Sequence, residues 1–325
     1  MNKTVLAALA ALAVAGAGAA PAVAAPAAHS AAGHATAAHP AAAGPARASL
    51  VGSLLAGTAR TAKAVAADAA RAAKEAKAAG TKAATFAGTV ALSNCSGSVV
   101  RFPKSADTDP ALVLTNGHCL ETGFPEPGEV VTGQSSSRTF GLLNSAGTKV
   151  ATLRADQVVY STMTDTDVTL YRLTTTYAKI KSAYGISPLT LNDSHPVAGT
   201  AITVVSGYWK RTYSCSIDGF VYRLKEGDWT WKDSVRYTSA CDTIGGTSGS
   251  PVIDTATGKV VAVNNTGNED GERCTVNNPC EVDQSGNVTV RQGINYAEET
   301  YQIPACFTTG NRLDLNAAGC TLPKP

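Results

Sequence analysis

From residue 85 onward, hydrophobic and polar positions alternate in short runs. Thr89–Leu92, Gly97–Phe102, Ala111–Asn116, Lys149–Ala155, Val158–Ser161, Val168–Leu173, Ala201–Ser206, Val252–Asp254, Lys259–Asn265 and Gly293–Ala297 are rich in Val, Thr, Ile and Tyr. Gly, Asn, Asp, Ser and Pro separate them. β-Branched and aromatic side chains suit a pleated surface buried on one face, and the punctuating residues favour turns. Long helical periodicity is absent. Many short strands in residues 85–325 predict an all-β barrel or sandwich rather than a parallel α/β sheet.

The front of the chain has a different pattern. Residues 1–84 are dominated by alanine and hold none of the eight cysteines. Lys3, an apolar core from Val5 to about Ala19, and the small-x-small triplet Ala22-Val23-Ala24 have the form of a secretory signal peptide over residues 1–24. The apolar core is shorter than the ~20 residues a membrane span needs, and no later segment is long and apolar enough. The expected location is therefore extracellular, with no membrane attachment after signal removal. Residues 25–46 are rich in Ala, Pro and His, a composition that favours disorder. Residues 47–79 contain many alanines and no proline and predict a helix with a basic stripe of Arg60, Lys63, Arg71 and Lys74. No aromatic residue interleaves that stripe, as a single-strand nucleic-acid binder would want. It reads as the solvated face of a propeptide or spacer over residues 25–84.

Charge and cysteines sharpen the division. Of 27 Lys/Arg and 25 Asp/Glu, eight and two fall in residues 1–84, leaving 19 and 23 in the remainder. The body is mildly acidic, which argues against nucleic acid as its partner. An even cysteine count in an exported chain predicts disulfides. No Cys-x-x-Cys occurs, and Cys274 and Cys280 have no histidine nearby, so no metal site is expected. Sequence does not fix the connectivity. Nearest-neighbour pairing is the simplest proposal: Cys95–Cys119, Cys215–Cys241, Cys274–Cys280 and Cys306–Cys320.

Two motifs carry chemistry. Thr115-Asn116-Gly117-His118-Cys119 ends an apolar run and sets a histidine beside a half-cystine. Gly245-Gly246-Thr247-Ser248-Gly249-Ser250-Pro251 sets a serine in a glycine turn that leads into a strand. A serine hydroxyl is a poor nucleophile until an imidazole takes its proton and backbone N–H groups receive the oxyanion. His118 is the candidate base; His195, in a polar loop before Pro196, reads as a surface residue. Asp167, just before the strand Val168–Leu173, is the candidate carboxylate, with Asp165 as its rival. Ser248 is the candidate nucleophile, with Ser250 as its rival. The N–H groups of Gly246 and Ser248 are the candidate oxyanion hole.

In these motifs the body, over roughly residues 85–300, resembles the secreted bacterial chymotrypsin-like serine endopeptidases. Asn116-Gly117 stands where that family usually has Ala-Ala before His-Cys. Asp167-Val168-Thr169-Leu170-Tyr171 resembles Asp-Ile-Ala-Leu-Leu, and Gly246-Thr247-Ser248-Gly249-Ser250-Pro251 resembles Gly-Asp-Ser-Gly-Gly-Pro. The Ser-Gly-Ser-Pro ending is nearer the glutamyl endopeptidase branch. The resemblance implies two packed antiparallel β-barrels with the triad His118, Asp167 and Ser248 in the cleft between them. It also implies a Cys95–Cys119 disulfide beside the histidine. Thr247 replaces the aspartate that trypsin-type zymogens use to bind a new N-terminus, so that activation switch is expected to be missing.

Specificity is less legible. Asp242 lies six residues before Ser248, where trypsin carries its basic-specific aspartate, but Cys241 precedes it where trypsin's cysteine follows. The glutamyl branch uses a histidine in the strand after the serine; here Asn264 stands there. By the same resemblance Asn264, Asn265, Gly267 and Gly293 are expected to line the substrate pocket. The acidic stretch Asn268–Glu272 reads as a solvated loop, because it lacks a spaced calcium-ligand pattern. The expectation is a monomeric endopeptidase acting on proteins or peptides, with no cofactor. The alternatives are an inactive protease-like binding protein and an esterase using the same triad. The esterase is disfavoured because no Gly-x-Ser-x-Gly elbow stands between a strand and a helix.

Overall fold

Strand pairing organises residues 84–325, the part of the chain that this computed structural model describes. The predicted signal peptide (1–24), and the predicted pro-segment (25–84) up to its last residue, lie outside the described residues. Seven strands come first: β1 (Thr89–Ala91), β2 (Ser96–Arg101), β3 (Pro110–Thr115), β4 (Val130–Ser135), β5 (Thr139–Leu143), β6 (Lys149–Thr162) and β7 (Val168–Thr176). They run in the order β1-β5-β6-β7-β3-β2, and β2 pairs back onto β1, which closes a six-stranded antiparallel barrel. β4 pairs with the second half of β6.

A helix, α1 (Tyr177–Tyr184), and a short strand, β8 (Leu189–Thr190), lead to the second set. This comprises β9 (Ala201–Ser206), β10 (Arg211–Glu226), β11 (Trp229–Tyr237), β12 (Pro251–Asp254), β13 (Val260–Gly267), β14 (Cys280–Val282), β15 (Val288–Val290) and β16 (Asn295–Glu299). The order β11-β16-β13-β12-β9-β10, with β10 pairing back to β11, closes a second six-stranded barrel. β14 and β15 extend it from β10. A small hairpin, β17 (Phe307–Thr308) and β18 (Arg312–Leu313), is the last pair of strands. The two antiparallel barrels match the expected architecture.

The two-residue period of a strand decides what each wall faces. Ala111 and Val113 of β3, and Tyr171 and Leu173 of β7, fill the first barrel with Val90, Val99 and Phe140. Leu112, Leu114, Val168 and Leu170, one residue out of phase, leave that barrel and join Val205, Ile253, Val260 and Val263 of the second. That shared cluster seals the barrels together. Ile202, Val204, Val235, Tyr237, Val252 and Ala297 fill the second barrel.

Departures from expectation have local causes. Lys149–Ala155 and Val158–Ser161 belong to one strand, β6, whose register shifts between Ala155 and Gln157 and again between Val158 and Tyr160. A β-bulge bends the strand and interrupts the alternation without ending it. β4, β5 and the β10–β11 hairpin had weak patterns; β10 and β11 mix Lys, Arg, Glu and Asp with Tyr and Trp. α1 buries only Tyr177 and Ile180, so it is too short to show a helical period. Thr176 caps its first turn and Gly185, at φ 69°, ends it. The four disulfides join Cys95–Cys119, Cys215–Cys241, Cys274–Cys280 and Cys306–Cys320.

Candidate active site

The first barrel builds one half of the site. β3 and β7 pair with Thr115 opposite Thr169, so the residues just after β3 meet those just before β7. His118 sits in the 3-10 turn Gly117–Cys119, and the Cys119–Cys95 disulfide ties that turn to the start of β2. Asp167 is fully buried. Its Oδ2 lies 2.7 Å from His118 Nδ1, and its Oδ1 accepts the His118 backbone N–H at 3.0 Å. The carboxylate thus holds both the ring and the backbone of the histidine, leaving Nε2 for other partners.

Asn116 and Gly117 account for the departure from Ala-Ala. The Asn116 side chain donates to the Asp167 carbonyl at 2.8 Å. A Cβ on Gly117 would collide with the Thr162 carbonyl and come within 2.9 Å of Asp167 Oδ1. The rival Asp165 points elsewhere: its carboxylate pairs with Lys232. Burial disfavours the charged imidazolium of His118. The Asp167 charge and hydrogen bond outweigh that, with a smaller contribution from Glu226, and the pKa is raised above the ordinary histidine value.

The second barrel supplies the serine. Gly246 (φ 85°) and Gly249 (φ 79°) take backbone conformations that L side chains rarely adopt. A Cβ on Gly249 would strike the Ser96 carbonyl and the Thr115 hydroxyl. The N–H groups of Gly246 and Ser248 donate to no protein acceptor among the described residues. Ser248 Oγ donates to the Asn265 carbonyl at 3.2 Å and makes no hydrogen bond to His118. Ser250 is buried, with no hydrogen-bond partner for its hydroxyl among the described residues. Thr247 turns its hydroxyl onto the Ile244 N–H of its own loop.

One residue absent from the sequence reading grips this loop. Ser96, next to Cys95 in the first barrel, donates its N–H to the Ser248 carbonyl at 2.8 Å. Its hydroxyl donates to the Gly246 carbonyl at 3.1 Å and accepts the Tyr208 N–H at 3.0 Å. Trp209 Nε1 donates to the Gly245 carbonyl at 2.7 Å. A disulfide-adjacent serine in a strand carries no sequence signal for this role.

His118 and Ser248 line a common cleft with Phe124, Trp229, Asn264, Asn265 and Gly267. Asp242 and Gly293 do not reach that lining; both are exposed. The carboxylates that do reach it are Glu226 and Glu269. Glu226 is 7% exposed; its Oε1 accepts the Asn277 N–H at 2.8 Å, and Oε2 is buried without a hydrogen-bond partner among the described residues. Burial pushes its pKa up, against that N–H. Glu298 supports the cleft floor from behind, accepting from Ser234 Oγ at 2.9 Å and Asn265 Nδ2 at 3.1 Å. Burial, with the Asp167 charge, pushes its pKa up to about 8. Asn268 organises the acidic loop, donating to the Glu272 and Pro279 carbonyls and accepting the Gly271 N–H.

With this geometry in view, comparison with known proteins is direct. The chain belongs to the trypsin-like peptidase domain family, whose model matches residues 95–263. Its class is therefore that of a serine protease. No curated protein matches it. Similar solved structures include the Rv3671c protease of M. tuberculosis in its active form, at 16% identity and TM-score 0.42, covering 75% of this chain and 86% of that one. The MamO protease domain of Magnetospirillum magneticum matches at 14% identity and TM-score 0.41, covering 66% and 93%. The chymotrypsin of Cellulomonas bogoriensis matches at 13% identity and TM-score 0.37, covering 66% and 90%.

Proposed function

We propose that the chain is a secreted serine endopeptidase that cleaves peptide bonds through His118, Asp167 and Ser248. The observation that carries this is the buried Asp167 holding His118 at 2.7 Å on the cleft that also receives Ser248. Ser248 Oγ turns from the Asn265 carbonyl to His118 Nε2, gives up its proton there and attacks the scissile carbonyl. The C–O bond forms as the carbonyl electrons move to oxygen. The free N–H groups of Gly246 and Ser248 hold that oxyanion. Collapse of the intermediate expels the amine, protonated by the imidazolium, and leaves an acyl-enzyme. Water, deprotonated by His118, then releases the acid. Asp167 keeps the ring oriented and stabilises its charged form. The four disulfides, and the lack of a helix long and apolar enough to cross a membrane among the described residues, support the extracellular assignment.

Within that reading, Glu226 and not Asp242 is the carboxylate placed to select substrate. Its side chain lines the cleft, so a Lys or Arg side chain docked there gains an ion pair that a neutral residue does not. The Ser248-Gly249-Ser250-Pro251 sequence is what supports placement near the glutamyl branch, and Glu226 argues against glutamate as the residue bound beside it.

Intact mass before and after a fluorophosphonate, with Ser248→Ala alongside, tests the assignment. One adduct on the wild type and none on the variant is expected. No adduct on a folded, processed chain would overturn it in favour of a binding protein. Relative rates on matched amide and ester substrates separate a peptidase from an esterase.

A further inference from the structure

Away from the cleft, three polar side chains from three separate segments converge on one point. His195 belongs to the loop that links the two barrels, Asp233 to β11, and Glu299 to the end of β16. His195 Nε2 lies 3.1 Å from Glu299 Oε1 and 3.2 Å from Asp233 Oδ2. The Glu299 side chain is only 2% exposed, yet no N–H or hydroxyl among the described residues donates to either of its oxygens, and its other close polar neighbour is the Asp233 carboxyl. The imidazole nitrogen is near Glu299 Oε1 but not aligned to donate to it. A buried carboxylate left without a partner is costly, and a cation between all three groups removes that cost.

We propose that His195, Asp233 and Glu299 bind a divalent transition-metal ion of the zinc class. Both nitrogen–oxygen spacings fit, since an ion bound at ~2.0–2.1 Å with tetrahedral angles holds its ligand atoms about 3.3 Å apart, and all three ligand atoms lie within 4.8 Å of one another. The surroundings fit as well. His195 Nδ1 lies 2.6 Å from the Pro196 carbonyl, to which it donates when Nε2 is the free nitrogen. Fixing one ring nitrogen on a backbone carbonyl is how metal-bound histidines are oriented. Phe220 and Tyr301 flank the ring edge-to-face at 4.4 and 5.1 Å. Tyr301 Oη donates to Asp233 Oδ2 at 3.4 Å, a second contact behind a ligand. Asp233 holds its place at φ 59°, an uncommon conformation for a residue with a side chain. His195 and Asp233 are about two-fifths exposed on the outer side, which leaves the fourth position to water.

This assignment reverses the expectation of a chain without metal, and it makes His195 more than a surface residue. The ion clamps the linker between the barrels onto two strands of the second barrel. Its ligand Glu299 follows Glu298, which holds the Asn265 side chain whose backbone carbonyl takes the Ser248 hydroxyl. The proposal does not depend on the catalytic assignment, because its readout is metal content.

The test uses the secreted protein, stripped with a chelator, dialysed against zinc and measured for bound metal and thermal unfolding. About one tightly held zinc per chain, with a raised Tm, is expected. His195→Ala and Asp233→Asn each abolish that zinc and the Tm rise, while zinc held by His29, His34 and His39, if the secreted chain retains them, survives both substitutions. Glu299→Gln preserves shape and loses zinc at least about tenfold in affinity. A wild type that takes up no zinc, or a folded His195→Ala or Asp233→Asn variant that binds as much as the wild type, overturns the proposal. In that case the imidazole and the two carboxyls share protons alone.

Discussion

The two barrels prepare their contributions to the cleft to different degrees. In the first, His118 is held through ring and backbone by one buried carboxylate, and the turn that carries it is pinned by a disulfide. In the second, Ser248 rides on a loop whose conformation depends on two left-handed glycines, and its hydroxyl is turned onto the Asn265 carbonyl. The proposed base is held in place, whereas the proposed nucleophile has its hydroxyl on a backbone carbonyl. A strand end inside a closed barrel is over-determined by pairing on both sides, whereas a glycine turn takes its shape from whatever grips it. Here part of that grip comes from the opposite barrel, through Ser96.

The comparison can be broken from either side. Ser248→Ala has the largest effect: kcat/KM on a peptide substrate falls by about 10⁴–10⁶-fold and the fluorophosphonate adduct disappears. Asp167→Asn, a change in the first barrel that touches no substrate, costs about 10⁴-fold by disturbing the tautomer and orientation of His118. If the serine side alone limited the enzyme, that variant would lose far less.

Stability effects come next. Gly117→Ala drives a methyl group into the Thr162 carbonyl and costs about 3 kcal/mol or more in denaturant unfolding, with activity lost in parallel. Replacing both Cys95 and Cys119 by alanine costs about 3–4 kcal/mol for a loop of this length. Smaller effects sharpen the picture of the second barrel. Glu226→Gln lowers the preference for Lys or Arg substrates about tenfold, read as a ratio of kcat/KM values. The smallest is a pH effect. Catalysis needs neutral His118, and its pKa is raised, so activity falls on acidification at a pH above the ordinary histidine value of about 6.5. A kcat/KM profile whose acid limb lies below that value would contradict the raised pKa.

How much of this the sequence reveals follows from how local each signal is. His118, Asp167 and Ser248 stand at strand ends or in a glycine turn, where local pattern marks them. β3 and the first half of β7 are buried at successive positions, without polar alternation, because each wall separates two apolar layers. Glu226 escaped because β10 mixes charges with aromatics, and nothing local says that this one carboxylate turns into the cleft while Lys225 beside it faces solvent. Asp242 attracted attention by its distance from Ser248, but the loop that follows Cys241 leaves it outside the cleft lining. Glu298 and Glu299 follow the predicted run Gly293–Ala297, and nothing local in the sequence marks them as buried. Strand closure buries both, one toward Ser234 and Asn265 and the other toward His195.

The hand that Ser96 lays on the nucleophile loop has a consequence for self-digestion. An enzyme that cuts polypeptides is a hazard to its own partly opened copies. Because the loop around Ser248 is fastened across the seam as well as within its own barrel, a molecule whose halves part loses the Ser96 share of the grip that seats its proposed nucleophile. Such a molecule is prey for its neighbours and a weaker predator.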